Sequence, residues 1–123
     1  EINDIQQLGY LQQIDIYKML YQKIGTPPII IDVQDLLQKP RKMLIELCRS
    51  LKIKFDEKML SWPSGSRKTD GIWGEHWYKQ VKVSTGFKPY IKSNRIIPHK
   101  YEVLYNECMK SYDFLYQKRI ILK

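Results

Sequence analysis

Residues 28–40 read PIIIDVQDLLQKP, and the fold class turns on them. Three consecutive β-branched Ile residues behind a proline, ending in Asp32, predict a short buried strand, apolar on both faces. Asp35 then caps a short turn carrying Leu36 and Leu37, and Pro40 suits the first position of a new helix. A strand cannot bury itself and needs neighbours, so the run implies half of an α/β unit. The rival reading is a helical domain in which PIII serves as an extended linker.

Outward from this run, residues 4–24 read as a helix. Tyr10, Ile14, Tyr17, Tyr21 and Ile24 recur at steps of three and four, and Gly25-Thr26-Pro27-Pro28 is the stop. A second helix runs from Pro40 to about Leu51 on Leu44, Leu47, Cys48 and Leu51. Residues 59–87, MLSWPSGSRKTDGIWGEHWYKQVKVSTGF, hold three Trp and four Gly with neither periodicity. They read mostly as loop, with a short helix around Trp73–Val81 and a turn at Ser84–Phe87 that needs Gly86 at positive φ. Pro89 to Pro98 is a basic connector. The last helix spans Pro98 to about Arg119, with a stripe of Tyr101, Leu104, Tyr105, Cys108, Tyr112 and Leu115. The expected fold is thus helix-rich α/β, with one short buried strand and three to four helices in a single partial domain of 1–123.

With 43% hydrophobic and 12% aromatic residues among 123, the chain is neither disordered nor membrane-spanning. The net charge of +8 is uneven. Residues 1–38 carry two Lys against five acids, 39–87 eleven Lys or Arg against five, and 88–123 eight against three. A basic C-terminal two-thirds points to an anionic partner such as a nucleotide phosphate, a nucleic acid or an acidic surface, against the plainer reading of a Lys-rich surface. Cys48 and Cys108 read as buried and too far apart for a disulfide framework, which fits a reducing, cytoplasmic setting without a secretory signal. Together with His76 and His99 they lack chelating spacing, so no metal is expected. The first residue is Glu rather than Met, as expected of a piece cut from a longer protein.

Ile31-Asp32, Asp35-Leu36-Leu37, Pro40, Leu47-Cys48 and FDEKMLSWP (55–63) stand in one order with a second group of uncommon residues. That group is Gly65, Arg67, Asp70, Gly71, Trp73, His76-Trp77-Tyr78 and Ser84-Thr85-Gly86-Phe87. The pattern, with LGY at 8–10, resembles the C-terminal half of a bacterial-type sulfotransferase-like family with a P-loop nucleotide-binding fold. The likeness covers residues 8–91; residues 92–123 resemble nothing specific.

The resemblance implies sulfuryl transfer from 3′-phosphoadenosine 5′-phosphosulfate to a hydroxyl or amine of a small acceptor. It also implies a Gly-rich phosphate loop upstream of these residues. The chain itself has no G-x-x-x-x-G-K-[ST], and GSRKTDG is not such a loop, because Lys68 precedes its second Gly. The chain alone is therefore expected to be inactive, with no catalytic residue assigned. What the resemblance leaves to it is part of the nucleotide site: Arg67 and Lys68 for the 3′-phosphate, with Gly65 and Ser66 permitting close approach. Trp73 can stack on the adenine, or, like Trp62 and Trp77, lock the loop onto the core. Asp70 can orient Arg67 or cap the helix near Ile72, and His76 can carry a proton or fill a structural role.

Two other classes fit the residues. Basic segments interleaved with Tyr and Trp, RKTDGIWGEHWYKQVK and FKPYIKSNR, match a single-stranded nucleic-acid surface. Tyr-rich helical stripes match a protein-interaction module. Open apolar sheet edges would further favour a homo-oligomer or swapped dimer.

Overall fold

The computed structural model describes residues 4–122 and divides into two compact units. The first joins the residues up to Asp32 with Ile91–Ile121, and the second is Val33–Tyr90.

In the first unit, Asp4 accepts from the Gln6 N–H (2.9 Å) and starts a 3-10 turn at Ile5–Leu8. Gly9, at φ 75°, turns the chain into helix α1, Tyr10–Ile24. Gly25 closes α1 in the left-handed region (φ 76°), its N–H donating to the Tyr21 carbonyl. The last helix, named α6 in chain order, begins after a 3-10 turn at His99–Tyr101 and spans Glu102–Tyr116. Helices α1 and α6 pack together through Tyr17, whose ring meets Phe114 edge-on at 5.9 Å and 89°. Cys108 and Ser111 are buried on the same helix.

The expected strand does not form. Residues 27–32 belong to no element, and no strand occurs among the described residues. The fold is helix-rich, as expected, but not α/β. Among the described residues, the sole strand-like pairing is an isolated antiparallel bridge between Ser61 and Gly86. The physical reason is that β-propensity is packing against neighbouring strands rather than a backbone preference. Here the run meets the tail of α6: the Ile120 N–H donates to the Ile30 carbonyl at 2.9 Å. Asp32 is nevertheless buried, at 9% exposure, and its Oδ2 accepts the Tyr112 hydroxyl at 2.7 Å.

In the second unit, Val33–Gln38 forms helix α2, so the expected turn is a full helix, with Asp35 inside its first turn. Pro40 starts α3, Pro40–Ser50. Met43 is completely buried and Cys48 nearly so, its sulfur 3.8 Å from that of Met59. Both cysteines are free. Helix α3 ends with Lys52 in the left-handed region (φ 57°), while the Ile53 N–H reaches back to the Cys48 carbonyl at 2.9 Å. Two short helices follow, α4 at Gly74–Trp77 and α5 at Lys79–Val83, where one was expected. Among the described residues, no helix is long and apolar enough to cross a membrane.

Two outcomes follow from this packing. Lys52→Gly should stabilise the chain by about 1 kcal/mol, because it removes the Cβ strain of a left-handed residue; urea unfolding curves read this directly. Burial, with Asp32 beside it, raises the Tyr112 pKa above that of free tyrosine. The native state then keeps a proton that the unfolded chain releases near pH ~10, so this contribution is present at neutral pH and lost as pH rises beyond that point. Stability measured between neutral and strongly alkaline pH should fall, and Tyr112→Phe should flatten that fall.

Candidate functional site

Residues 60–87 make one excursion that is tied at its neck. The Trp62 N–H donates to the Thr85 carbonyl at 3.0 Å. The Trp62 indole N–H donates to Ser84 Oγ at 3.0 Å, and the Ser84 hydroxyl passes on to the Val81 carbonyl at 2.7 Å. The Trp62 ring meets Phe87 edge-on at 5.4 Å and 86°. Of the three tryptophans, this one locks the loop. Gly86 does not adopt positive φ, contrary to expectation. Its need is space: a Cβ there would lie 3.1 Å from the Leu60 carbonyl oxygen across the bridge.

Further out, the Gly65 N–H donates to the Lys82 carbonyl at 2.6 Å, and Gly65 itself sits at φ 116°. Asp70 settles between its two expected jobs. Its Oδ2 accepts the main-chain N–H of Arg67 at 2.7 Å, and α4 begins at Gly74 behind Trp73 with no side-chain cap. The Asp70 N–H returns to the Arg67 carbonyl at 3.1 Å, so residues 67–70 form a doubly closed turn. Gly71 follows at φ 66°, and a Cβ on buried Gly74 would meet Asp70 Cβ at 2.9 Å. Loop backbone between Trp62 and Gly74 is therefore fixed by its own hydrogen bonds while its side chains stay exposed.

An open pocket of about 430 Å³ lies on this loop, lined by Arg67, Lys68, Gly71, Ile72 and Glu75. Of the sequence candidates, Arg67 and Lys68 line it; Gly65, Ser66 and Trp73 belong to the same exposed loop but not to the lining. Gly71, Ile72 and Glu75 were not singled out from sequence as site residues, and only the fold of the turn brings them in. Arg67 Nη2 reaches the Pro63 carbonyl at 3.5 Å, a contact at the limit of a hydrogen bond. Among the described residues, no carboxylate pairs with the Arg67 or Lys68 side chains. Adjacent cations on a turn whose glycine lets a ligand approach closely suit a phosphate group. Glu75 in the same lining works against such a group. Trp73 and Trp77 expose 66% and 75% of their surface. His76 is exposed as well. Among the described residues, no group of three His, Cys, Asp or Glu side chains is arranged to hold a metal ion.

Comparison with known proteins fits this loop into a larger pattern. The sulfotransferase domain family matches residues 7–111. Two proteins of Arabidopsis thaliana are similar. Branched-chain-amino-acid aminotransferase-like protein 2 is 37% identical over 109 residues, covering 89% of this chain and 19% of that protein. Branched-chain-amino-acid aminotransferase-like protein 1 is 38% identical over 109 residues, covering 89% and 20%. The chain thus spans about a fifth of the length of the curated relatives it matches. No solved structure matches it significantly. With the family pattern running from the first turn of the first unit through the loop and into α6, the chain belongs to the sulfotransferase domain family.

Proposed function

We propose that residues 65–75 form part of the donor site of a sulfuryl transferase, holding the 3′-phosphate of 3′-phosphoadenosine 5′-phosphosulfate. The observation that carries this reading is the pair of cations, Arg67 and Lys68, with no carboxylate partner among the described residues, on a hydrogen-bonded turn. Arg67 presents a planar fork to two phosphate oxygens, Lys68 adds a point charge, and the left-handed Gly71 and Gly65 keep the backbone open to the ligand. Trp73 offers an exposed indole to the adenine.

When bound, the donor supplies a sulfuryl group: an acceptor oxygen or nitrogen bonds to sulfur, the sulfur–phosphate oxygen bond breaks, and adenosine 3′,5′-bisphosphate leaves. A base takes the acceptor proton. The chain has no G-x-x-x-x-G-K-[ST] to cradle the 5′-phosphosulfate. These residues therefore bind and orient one end of the donor, for a small-molecule acceptor, and do not carry the transfer alone.

Calorimetric titration with adenosine 3′,5′-bisphosphate tests this. Weak saturable binding is expected, with Arg67→Ala lowering affinity at least about tenfold, the worth of a charge-assisted bidentate contact. Adenosine 5′-monophosphate, lacking the 3′-phosphate, should not distinguish the variant from the original chain. No binding, or equal binding by Arg67→Ala, would sink the reading.

A second reading is favoured by the exposure of Trp73 and Trp77, which stand one helical turn apart beside a Lys-rich sequence. Two such indoles with Lys68, Lys79 and Lys82 suit stacked bases of a single strand. Mixed oligonucleotides should then bind with an affinity that falls on a log–log plot against salt, and Trp77→Ala should weaken binding by about 1–3 kcal/mol. A flat salt response would remove this reading and leave the nucleotide one.

A further inference from the structure

The loop pocket carries one side chain that a phosphate alone does not explain. Glu75 lines it together with Arg67 and Lys68, around an open space of about 430 Å³. The fold of the turn puts it there. Asp70 holds the Arg67 N–H at 2.7 Å, and the Gly74 N–H donates to the Gly71 carbonyl at 3.2 Å. Gly74 is buried, and a Cβ on it would lie 2.9 Å from Asp70 Cβ, so α4 starts directly against the turn that carries the two cations. Glu75 is the next residue. It is exposed, and among the described residues it makes no ion pair. Its place in the first turn of α4 makes an acid tolerable, but a helix of four residues gains little from it.

A bare anion held by Arg67 and Lys68 meets Glu75 as a like charge, which weakens binding whatever the cations contribute. An ionised carboxylate only accepts hydrogen bonds, so the ligand group that turns this penalty into a gain is a donor next to the phosphate. In a nucleoside 3′-phosphate that donor is the ribose 2′-hydroxyl, on the neighbouring ring carbon. A carboxylate paired with a ribose hydroxyl serves the same purpose in dinucleotide-binding folds. The base is not the part concerned, because Trp73, proposed for the adenine, lies outside the lining. The volume is about three times the ~150 Å³ cavity that holds benzene, which leaves room for a phosphate and the sugar that bears it. Glu75 is not the base of the transfer either, since the sulfuryl group departs from the 5′ end of the donor. We propose that Glu75 sets the specificity of the donor site: its carboxylate accepts the 2′-hydroxyl beside the bound 3′-phosphate, so that the pocket selects ribonucleotides against 2′-deoxynucleotides and free inorganic phosphate. This selection rests on the donor-site reading.

Calorimetric titration of the full chain with adenosine 3′,5′-bisphosphate and with its 2′-deoxy analogue tests the proposal. The ribonucleotide should bind about tenfold more tightly, the worth of a hydrogen bond to a charged group. In Glu75→Ala the two should bind within about twofold of each other, and the 2′-deoxy analogue should bind more tightly than it does to the original chain, because the like charge is gone. Glu75→Gln keeps an acceptor oxygen without the charge and should retain part of the preference. Glu75 is exposed, so these variants report recognition rather than folding. Arg67-dependent binding without preference for the 2′-hydroxyl, or a preference that Glu75→Ala leaves intact, would overturn this inference and leave the donor-site reading standing. Binding of neither nucleotide would remove both.

Discussion

The neck of the 60–87 loop, closed by Trp62, is the contact on which the second unit's surface depends. One indole N–H fixes the Ser84 hydroxyl, which fixes the Val81 carbonyl at the end of α5, while the ring face is covered by Phe87. A loop of this length loses a large conformational entropy when ordered, and its closure cost grows only slowly with length. A few bonds at the neck therefore suffice to close the loop. Beyond the neck, the order comes from main-chain N–H donors at Gly65, Arg67, Asp70 and Gly74, that of Arg67 bonding the Asp70 carboxylate. Asp70 is the side chain there that helps hold the loop, and Arg67, Lys68, Trp73 and Trp77 remain at the surface.

That division of labour separates two kinds of tryptophan in one segment. Trp62 combines an apolar body with a satisfied N–H and is structural. Trp73 and Trp77, on and beside a helix only four residues long, have no core beneath them. A four-residue helix cannot form an apolar stripe wide enough to bury two indoles. Large exposed aromatics flanking Arg67 and Lys68 are a costly surface to keep unless something covers it.

In the first unit the organising constraint is different. Tyr17 and Phe114 interlock α1 with α6, and the tail of α6 then supplies Ile120 and Tyr112 to the Ile-rich run. A buried carboxylate is tolerated only with a donor, and Tyr112, eighty residues away in sequence, is that donor. The same helix end brings Arg119 close by through the ring of Tyr116.

Helix positions were legible in the residues themselves, since 3.6-residue periodicity, glycine stops and a proline start are local signals. The cores of α1, α3 and α6 all lie within their expected spans. So was the family, because residues such as those at 55–63 and 84–87 are uncommon and stand in a fixed order. The Ile29–Ile31 run misled because β-branching reports a preference for neighbouring strands, and no residue can reveal whether such neighbours are there. Gly86 and Asp70 were recognised as special for reasons the folded chain replaced, with close approach at one and a main-chain bond at the other. Composition and spacing alone determined the main helices and the basic bias, and the family resemblance supplied the candidate cations. Only tertiary structure decided that Asp32 and Tyr112 meet and line one pocket with Arg119, and which tryptophan locks the loop, because both depend on contacts between residues far apart in sequence.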